Sequence, residues 1–302
     1  MPYVLTLFIL APHGDVQISE KFYNEIKEAN EGLPKIVAAA EKFDAFMENF
    51  VELESTVLML GARHLAFEQA DITNLIEPRN LISRRIANFL SSGRLYRDSL
   101  PQHAWHILGR TDAKAKAFIA SIAADAQPMG YRMVDALRNY VQHRELPLSE
   151  ITFHHSRDVS QGETVAFPSW LEPAIDAVAV SKGRDVPKDV AAQLAKLGGK
   201  VNPMPLLREY VEHVGNMHQG FRKLIESKEG AWESSLARAR ERYKKRYPKE
   251  SIVALGAGFR DASGRVSRRQ YAPEDRAKYR QDLRIKHRTA VNFPIRYVKW
   301  SA

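Results

Sequence analysis

Cysteine is absent from the 302 residues. That excludes disulfide staples, cysteine-ligated zinc or iron–sulfur sites and a cysteine nucleophile. It also suits a reducing compartment. No apolar run approaches the roughly 20 residues that a membrane span needs. The apolar opening MPYVLTLFIL has no basic lead and no small-residue cleavage site, so it reads as a strand or packed terminal segment rather than a signal peptide. There is no P-loop, nucleophile elbow or H-E-x-x-H sequence, and no low-complexity tract. Gly256-Ala257-Gly258 follows an apolar stretch like a strand and glycine turn, but the rest of G-x-G-x-x-G is missing. Metal ligands come at most in pairs: His103 with His106, His64 with Glu68, and His154 beside His155 on opposite faces of a strand. Two ligands do not make a site. A cytoplasmic protein without membrane contact, metal or cofactor is expected.

What is present is a globular core and an uneven charge. Hydrophobic residues make up 44% of the chain, enough to bury a core, and 45 Lys and Arg against 36 Asp and Glu give a net charge of +9. From Leu236 to Ala302 there are 19 basic and 6 acidic residues, a net of +13, whereas the preceding residues carry a net of −4. So dense a basic segment attracts polyanions, of which phosphate backbones are the commonest in a cell. Within it Arg265, Arg268, Arg269, Arg284, Lys286 and Arg288 are the candidate nucleic-acid contacts, and RNA is the expected partner.

Helical spacing of apolar residues predicts helices over 18–30 and 33–65, the latter carried by Leu33, Ile36, Val37, Ala40, Phe43, Met47, Phe50 and Val51. Ile82, Ile86, Phe89, Gly93 and Tyr96 mark a helix over 77–100, ended or kinked at Pro101. Further helices are expected over 112–124, 128–144, 173–182, 187–197 and 203–227, the last running on toward Tyr247. Between them, β-branched and aromatic residues around Ser160-Gln161-Gly162 predict a hairpin inside 150–168. Beyond Pro248, glycines and arginines replace helical periodicity. The expected fold is mainly α: a helical bundle with a small β hairpin and a basic, irregular C-terminal extension. The expected parts are a helical domain over 1–147, a hairpin plus second helical region over 148–247, and the extension over 248–302.

The segment Met133 to His143 is the main chemical candidate. On a helix Asn139 and His143 lie one turn apart on one face, whereas Arg138 stands about 140° round the axis from His143 and needs its long side chain to reach the same place. Histidine moves protons near neutrality, arginine grips a phosphate with two donors, and asparagine orients either. Asn88 and Ser92, four apart on the 77–100 helix, are secondary candidates for supporting hydrogen bonds. So are Arg208 and His213, because L-R-x-Y-V-x-H occurs at both 137–143 and 207–213, with Glu209 where Asn139 stands.

Arg138-Asn139-Tyr140-Val141-Gln142-His143 resembles the R-x4-6-H motif of the HEPN superfamily, with its frequent polar residue after the arginine. The likeness covers about 33–145. It implies an α-helical bundle and a metal-independent endoribonuclease, with Arg138, Asn139 and His143 as the catalytic group. It further implies a homodimer with helices near 80–100 and 128–144 at the interface, a toxin or phage-defence role, and room for a regulatory protein partner. The alternative is a non-catalytic helical interaction protein that binds nucleic acid or an acidic partner through its basic C-terminal region. Arg, Asn and His on an amphipathic helix are also ordinary surface groups.

Overall fold

The computed structural model describes residues 2–9, 14–67, 75–157, 168–183, 185–272, 275–289 and 292–296. Its elements in chain order are β1 (Tyr3–Leu7), β2 (Val16–Gln17), α1 (Glu20–Phe67), α2 (Ile76–Leu108), α3 (Ala113–Asp125), α4 (Met129–His143), β3 (Glu150–His155), β4 (Ser169–Asp176), α5 (Ala177–Ser181), α6 (Lys188–Lys196), β5 (Lys200–Val201), α7 (Met204–Arg246), β6 (Leu255–Arg260), β7 (Val266–Tyr271) and α8 (Asp275–Lys286). The fold is mainly α, as the periodicity indicates. None of the described helices is long and apolar enough to cross a membrane.

The helices are longer than their prolines suggest. The two expected helices over 18–30 and 33–65 are the single α1, with Pro34 inside it, and α2 passes through Pro101. A mid-helix proline removes one hydrogen bond, but apolar side chains on both sides anchor the neighbouring turns. Ile26, Ala29, Leu33 and Ile36 are buried around Pro34, and Leu100, Ala104 and Ile107 around Pro101. The start of α1 is fixed by Ser19, whose hydroxyl accepts the Phe22 N–H at 3.2 Å.

Two strand assignments also differ from the sequence reading. β3 lies in the stretch expected to form a hairpin and pairs antiparallel with β4 over six register pairs, but β4 begins at Ser169, beyond the expected limit of 168; Ser160 to Gly162 fall outside the described residues. The helix expected from Pro173 starts later. Pro173 sits in β4 opposite Ile151, and only Ile175 and Asp176 pair onward to β5, so the missing donor falls where β4 has no second neighbour. Asp176 then caps α5 by accepting the Ala179 N–H at 2.9 Å. The region after Pro248 is more ordered than its glycines imply: it holds β6, β7 and α8. These strands join β1 in an antiparallel sheet of order β2-β1-β6-β7.

The chain divides into two compact units, each drawn from separated segments. The first comprises 1–41, 99–120 and 219–289 and includes the four-stranded sheet, the N-terminal part of α1, the C-terminal part of α7 and α8. The second comprises 42–98, 121–218 and 290–302 and includes α4, the smaller sheet and α6. By sequence the first unit holds 26 basic and 16 acidic residues, a net of +10, and the second 19 and 20, a net of −1.

An aromatic core organises the second unit. Phe43, Phe46 and Phe50 of α1 meet Phe89 and Tyr96 of α2 and Tyr210 of α7, with Phe46 stacked on Phe89 at 5.0 Å between ring centroids. The His218 ring lies flat on Phe43 at 3.8 Å, and its Nδ1 is 2.7 Å from the Tyr96 hydroxyl, so this buried imidazole is satisfied within the core. Gly93 lets α2 approach: a Cβ there would come within 2.8 Å of the Tyr210 ring and 2.9 Å of the Phe46 ring. Alanine gains about 1 kcal/mol of helix propensity over glycine, whereas overpacking costs about 1–3 kcal/mol. Gly93→Ala is therefore expected to destabilise the protein despite its better propensity. Denaturant unfolding checks this, and an unchanged or raised midpoint contradicts the packing.

Candidate nucleic-acid interface

The motif helix α4 buries Val134 and Leu137, as its periodicity predicts. Arg138 is half-buried and donates through Nη1 to the Asn139 Oδ1 at 3.1 Å, while its Nε is buried without a partner among the described residues. His143, the last residue of the helix, is exposed. Arg138 and Asn139 are thus brought together, but no hydrogen bond links either to His143 among the described residues. The secondary candidates are used locally. Ser92 donates its hydroxyl to the Phe89 carbonyl at 2.9 Å, and Asn88 is exposed. Arg208 makes a two-pronged contact with Glu54, at 2.8 and 2.5 Å, and His213 Nε2 lies 3.7 Å from Glu209. Glu68 falls outside the described residues; His103 is buried and His106 exposed, and no group of three potential metal ligands occurs among the described residues.

Beside the motif lies a cluster that sequence reasoning missed. Arg97 Nη1 donates to Asp135 at 3.0 Å and to the Tyr131 hydroxyl at 3.1 Å, and Arg94 reaches Asp135 at 3.2 Å. The available signal was the i,i+3 spacing of Arg94 and Arg97 on one helix and Asp135 inside the quoted segment. Burial opposes the Arg97 charge, but Tyr131 and Asp135 outweigh it and hold its pKa above the usual arginine range. Burial pushes the Tyr131 phenol up, against Arg97, and pushes Tyr210 well above the ordinary value near 10. A phenol with a raised folded-state pKa supports stability fully below its unfolded pKa. That support fades as pH rises past 10, because the unfolded chain ionises first. Tyr210→Phe is expected to flatten the loss of stability between about pH 9 and about pH 11, measured by urea unfolding at each pH. An identical loss in both proteins contradicts it.

The first unit has a different kind of site. β7 is the edge strand of its sheet, and its pairing with β6 slips at one point: Ala257 faces Gln270 and Phe259 faces Ser267, so Arg268 and Arg269 together oppose Gly258. This is a β-bulge. Arg268 adopts φ +52°, the left-handed region that costs a non-glycine residue about 1–2 kcal/mol. Its carbonyl is held by the Tyr23 hydroxyl at 2.8 Å. The bulge aims two successive arginines at aromatic rings, Arg268 over Phe259 at 5.5 Å and Arg269 over Phe8 at 5.0 Å. Gly256 and Gly258 are strand residues rather than a turn: a Cβ at Gly256 would come within 2.5 Å of the Phe8 ring, and one at Gly258 within 2.3 Å of Val266. Tyr271, 48% exposed, meets Phe8 edge-on at 5.1 Å. A cavity of about 320 Å³ opens here, lined by Thr6, Phe8, Ile9, Arg260, Val266 and Arg269.

The remaining basic candidates divide. Arg265 is exposed on the β6–β7 turn, which Asp261 organises by accepting the backbone N–H groups of Ser263 and Arg265. The Ser263 hydroxyl holds the Asp261 carboxyl below its usual range. Arg284 is exposed but already paired, 2.9 Å from the buried Glu229. Lys286 and Arg288 are exposed at and just beyond the end of α8. Arg265, Arg268 and Arg269 are therefore gathered on one hairpin, with aromatic rings among them, which the sequence could not indicate because Phe8 comes from the opposite end of the chain. Comparison with known proteins yields no match: no family model, no curated relative and no solved structure matches the chain.

Proposed function

We propose that this is an RNA-binding helical protein whose contact surface is the β6–β7 hairpin and the Phe8 face of its sheet. The observation that carries the reading is the bulge at Arg268 and Arg269: two successive guanidinium groups beside aromatic rings, on an exposed edge strand, in the unit with a net charge of +10. Arginines supply phosphate contacts and exposed rings accept stacked bases without regard to sequence. Single-stranded RNA, with unstacked bases, fits this mixture better than a duplex. A merely acidic protein partner would use the arginines and leave the rings idle.

The test is fluorescence anisotropy with a labelled single-stranded RNA over a salt series. Each phosphate contact contributes about 0.7 to the slope of log affinity against log salt. Replacing Arg265, Arg268 and Arg269 by alanine is expected to lower that slope by roughly 2. Tyr271→Ala is expected to cost about 1–3 kcal/mol of binding with little change in slope, since a stacked base carries no counterion. Arg268→Gly is expected to raise the melting temperature, by relieving the left-handed backbone, while weakening RNA binding. Binding untouched by all three changes defeats the reading; loss with the arginines alone, equal for an acidic peptide, favours the protein partner.

A second reading is kept for one observation, the Arg138–Asn139 hydrogen bond next to an exposed His143. By its resemblance to the HEPN motif, this group is proposed to cleave RNA without metal, with the residues of two copies meeting. His143→Ala is then expected to reduce cleavage by about 10²–10⁴-fold with unfolding unchanged. Wild-type protein, verified as a dimer, that leaves a broad panel of RNAs intact ends this reading without touching the first.

A further inference from the structure

A second cavity in the first unit, of about 360 Å³, shares no lining residue with the one beside Phe8. It runs along α1 between Asn30 and Glu41, with Leu33, Val37 and Leu236 as its apolar wall. Eleven residues of helix separate its polar ends, about 16 Å. A groove of this reach with an apolar wall can hold an extended alkyl chain along the helix.

Both ends offer acceptors. At one end the Tyr279 hydroxyl donates to Glu41 Oε1 at 3.1 Å, and Oε2 has no partner among the described residues. At the other, Pro34 has no N–H to give the Asn30 carbonyl, which therefore lacks its ordinary helical donor. The Asn30 side-chain amide spends both hydrogens, on the Ile26 carbonyl at 3.1 Å and the Tyr271 carbonyl at 2.7 Å, which leaves its Oδ1 as a further acceptor. The cation on the wall, Arg280, has a side chain only 6% exposed and is paired through Nε with Glu233 at 3.1 Å. Glu233 pairs with Arg280 from outside the lining, which leaves Glu41 as the lining's one charge without an ionic partner among the described residues.

We infer that this cavity binds a linear aliphatic diamine, one ammonium on Glu41 and the other on the Asn30 carbonyls, with the methylenes against Leu33, Val37 and Leu236. An ammonium carries three donors and no acceptor, which complements both ends. An alkyl carboxylate would meet acceptors at both ends and would reach Arg280 only beside the Glu233 carboxylate.

The experiment is isothermal titration calorimetry of the full chain, without RNA, using 1,8-diaminooctane, n-octylamine and octanoate. The diamine is expected to bind at least about tenfold more tightly than the monoamine, and octanoate not to compete, since each charged end contributes its own hydrogen bonds. Glu41→Gln, which keeps the shape and the acceptor for Tyr279, is expected to weaken the diamine about tenfold or more. Val37→Trp, with helicity confirmed by circular dichroism, is expected to abolish binding by filling the space. Equal binding of monoamine and diamine, preference for octanoate, or indifference to Glu41→Gln overturns the inference.

Discussion

The pairing of β1 with β6 is the constraint on which the first unit depends. Five register pairs, from Tyr3 with Phe259 to Leu7 with Leu255, join the beginning of the chain to a strand near its end. Without β1, the β6–β7 hairpin would stand alone, and an isolated two-stranded hairpin is marginal in water. Closing so long a loop costs little more than closing a moderate one, because the entropy grows only with the logarithm of length. Burial of Val4, Leu5 and Leu7 offsets it, at roughly 1.5–3 kcal/mol for each side chain fully removed from water. The same pairing brings Phe8 across Gly256 and Gly258. The N-terminal strand therefore both supports the hairpin and supplies the ring under Arg269.

Net charge overstates the surface available to a polyanion. Several arginines of the basic segment hold the fold: Arg284 pairs with buried Glu229, Arg280 with Glu233 and Arg260 with Asp15. A guanidinium already facing a carboxylate must break that contact or bind a phosphate beside a negative charge. What remains accessible is set by which strands present unpaired cations. That criterion separates the hairpin arginines Arg265, Arg268 and Arg269 from Arg260, Arg280 and Arg284.

Periodicity made the helices legible because their apolar stripes are long and regular: Ile82, Ile86, Phe89, Gly93 and Tyr96 all lie buried on one face of α2. Helix ends were less legible, since Pro34 and Pro101 weigh heavily in local reasoning while the buried side chains that carry the helix past them act through tertiary contact. The N-terminal strand was readable from its apolar run only as a strand or packed terminal segment. Its partner was not, because pairing between distant segments leaves no mark in either. The candidate contacts Arg265, Arg268 and Arg269 were found from charge density alone, which could not separate them from Arg284. The motif residues Arg138 and Asn139 were readable as neighbours, but spacing on a helix does not say what faces it. The Arg97–Asp135–Tyr131 cluster next to them depends on α2, some forty residues earlier in the sequence.

Three local departures from ordinary strand chemistry coincide at the β6–β7 bulge. Glycines occupy strand positions, where they weaken a sheet; an arginine takes a left-handed backbone that a glycine would adopt without strain; and an aromatic ring lies on bare backbone. Each alone has a bland explanation. Glycine at 268 would relieve the backbone, and the chain carries glycines at 256 and 258 directly across the ladder, so the residue type is within easy reach of the local composition. Retaining arginine there sacrifices stability to hold a cation beside Phe259 and next to a second cation over Phe8. Sequence and fold generally agree at every level except where a site requires otherwise. The coincidence of all three departures in one hairpin is what distinguishes this surface from the chain's other basic stretches.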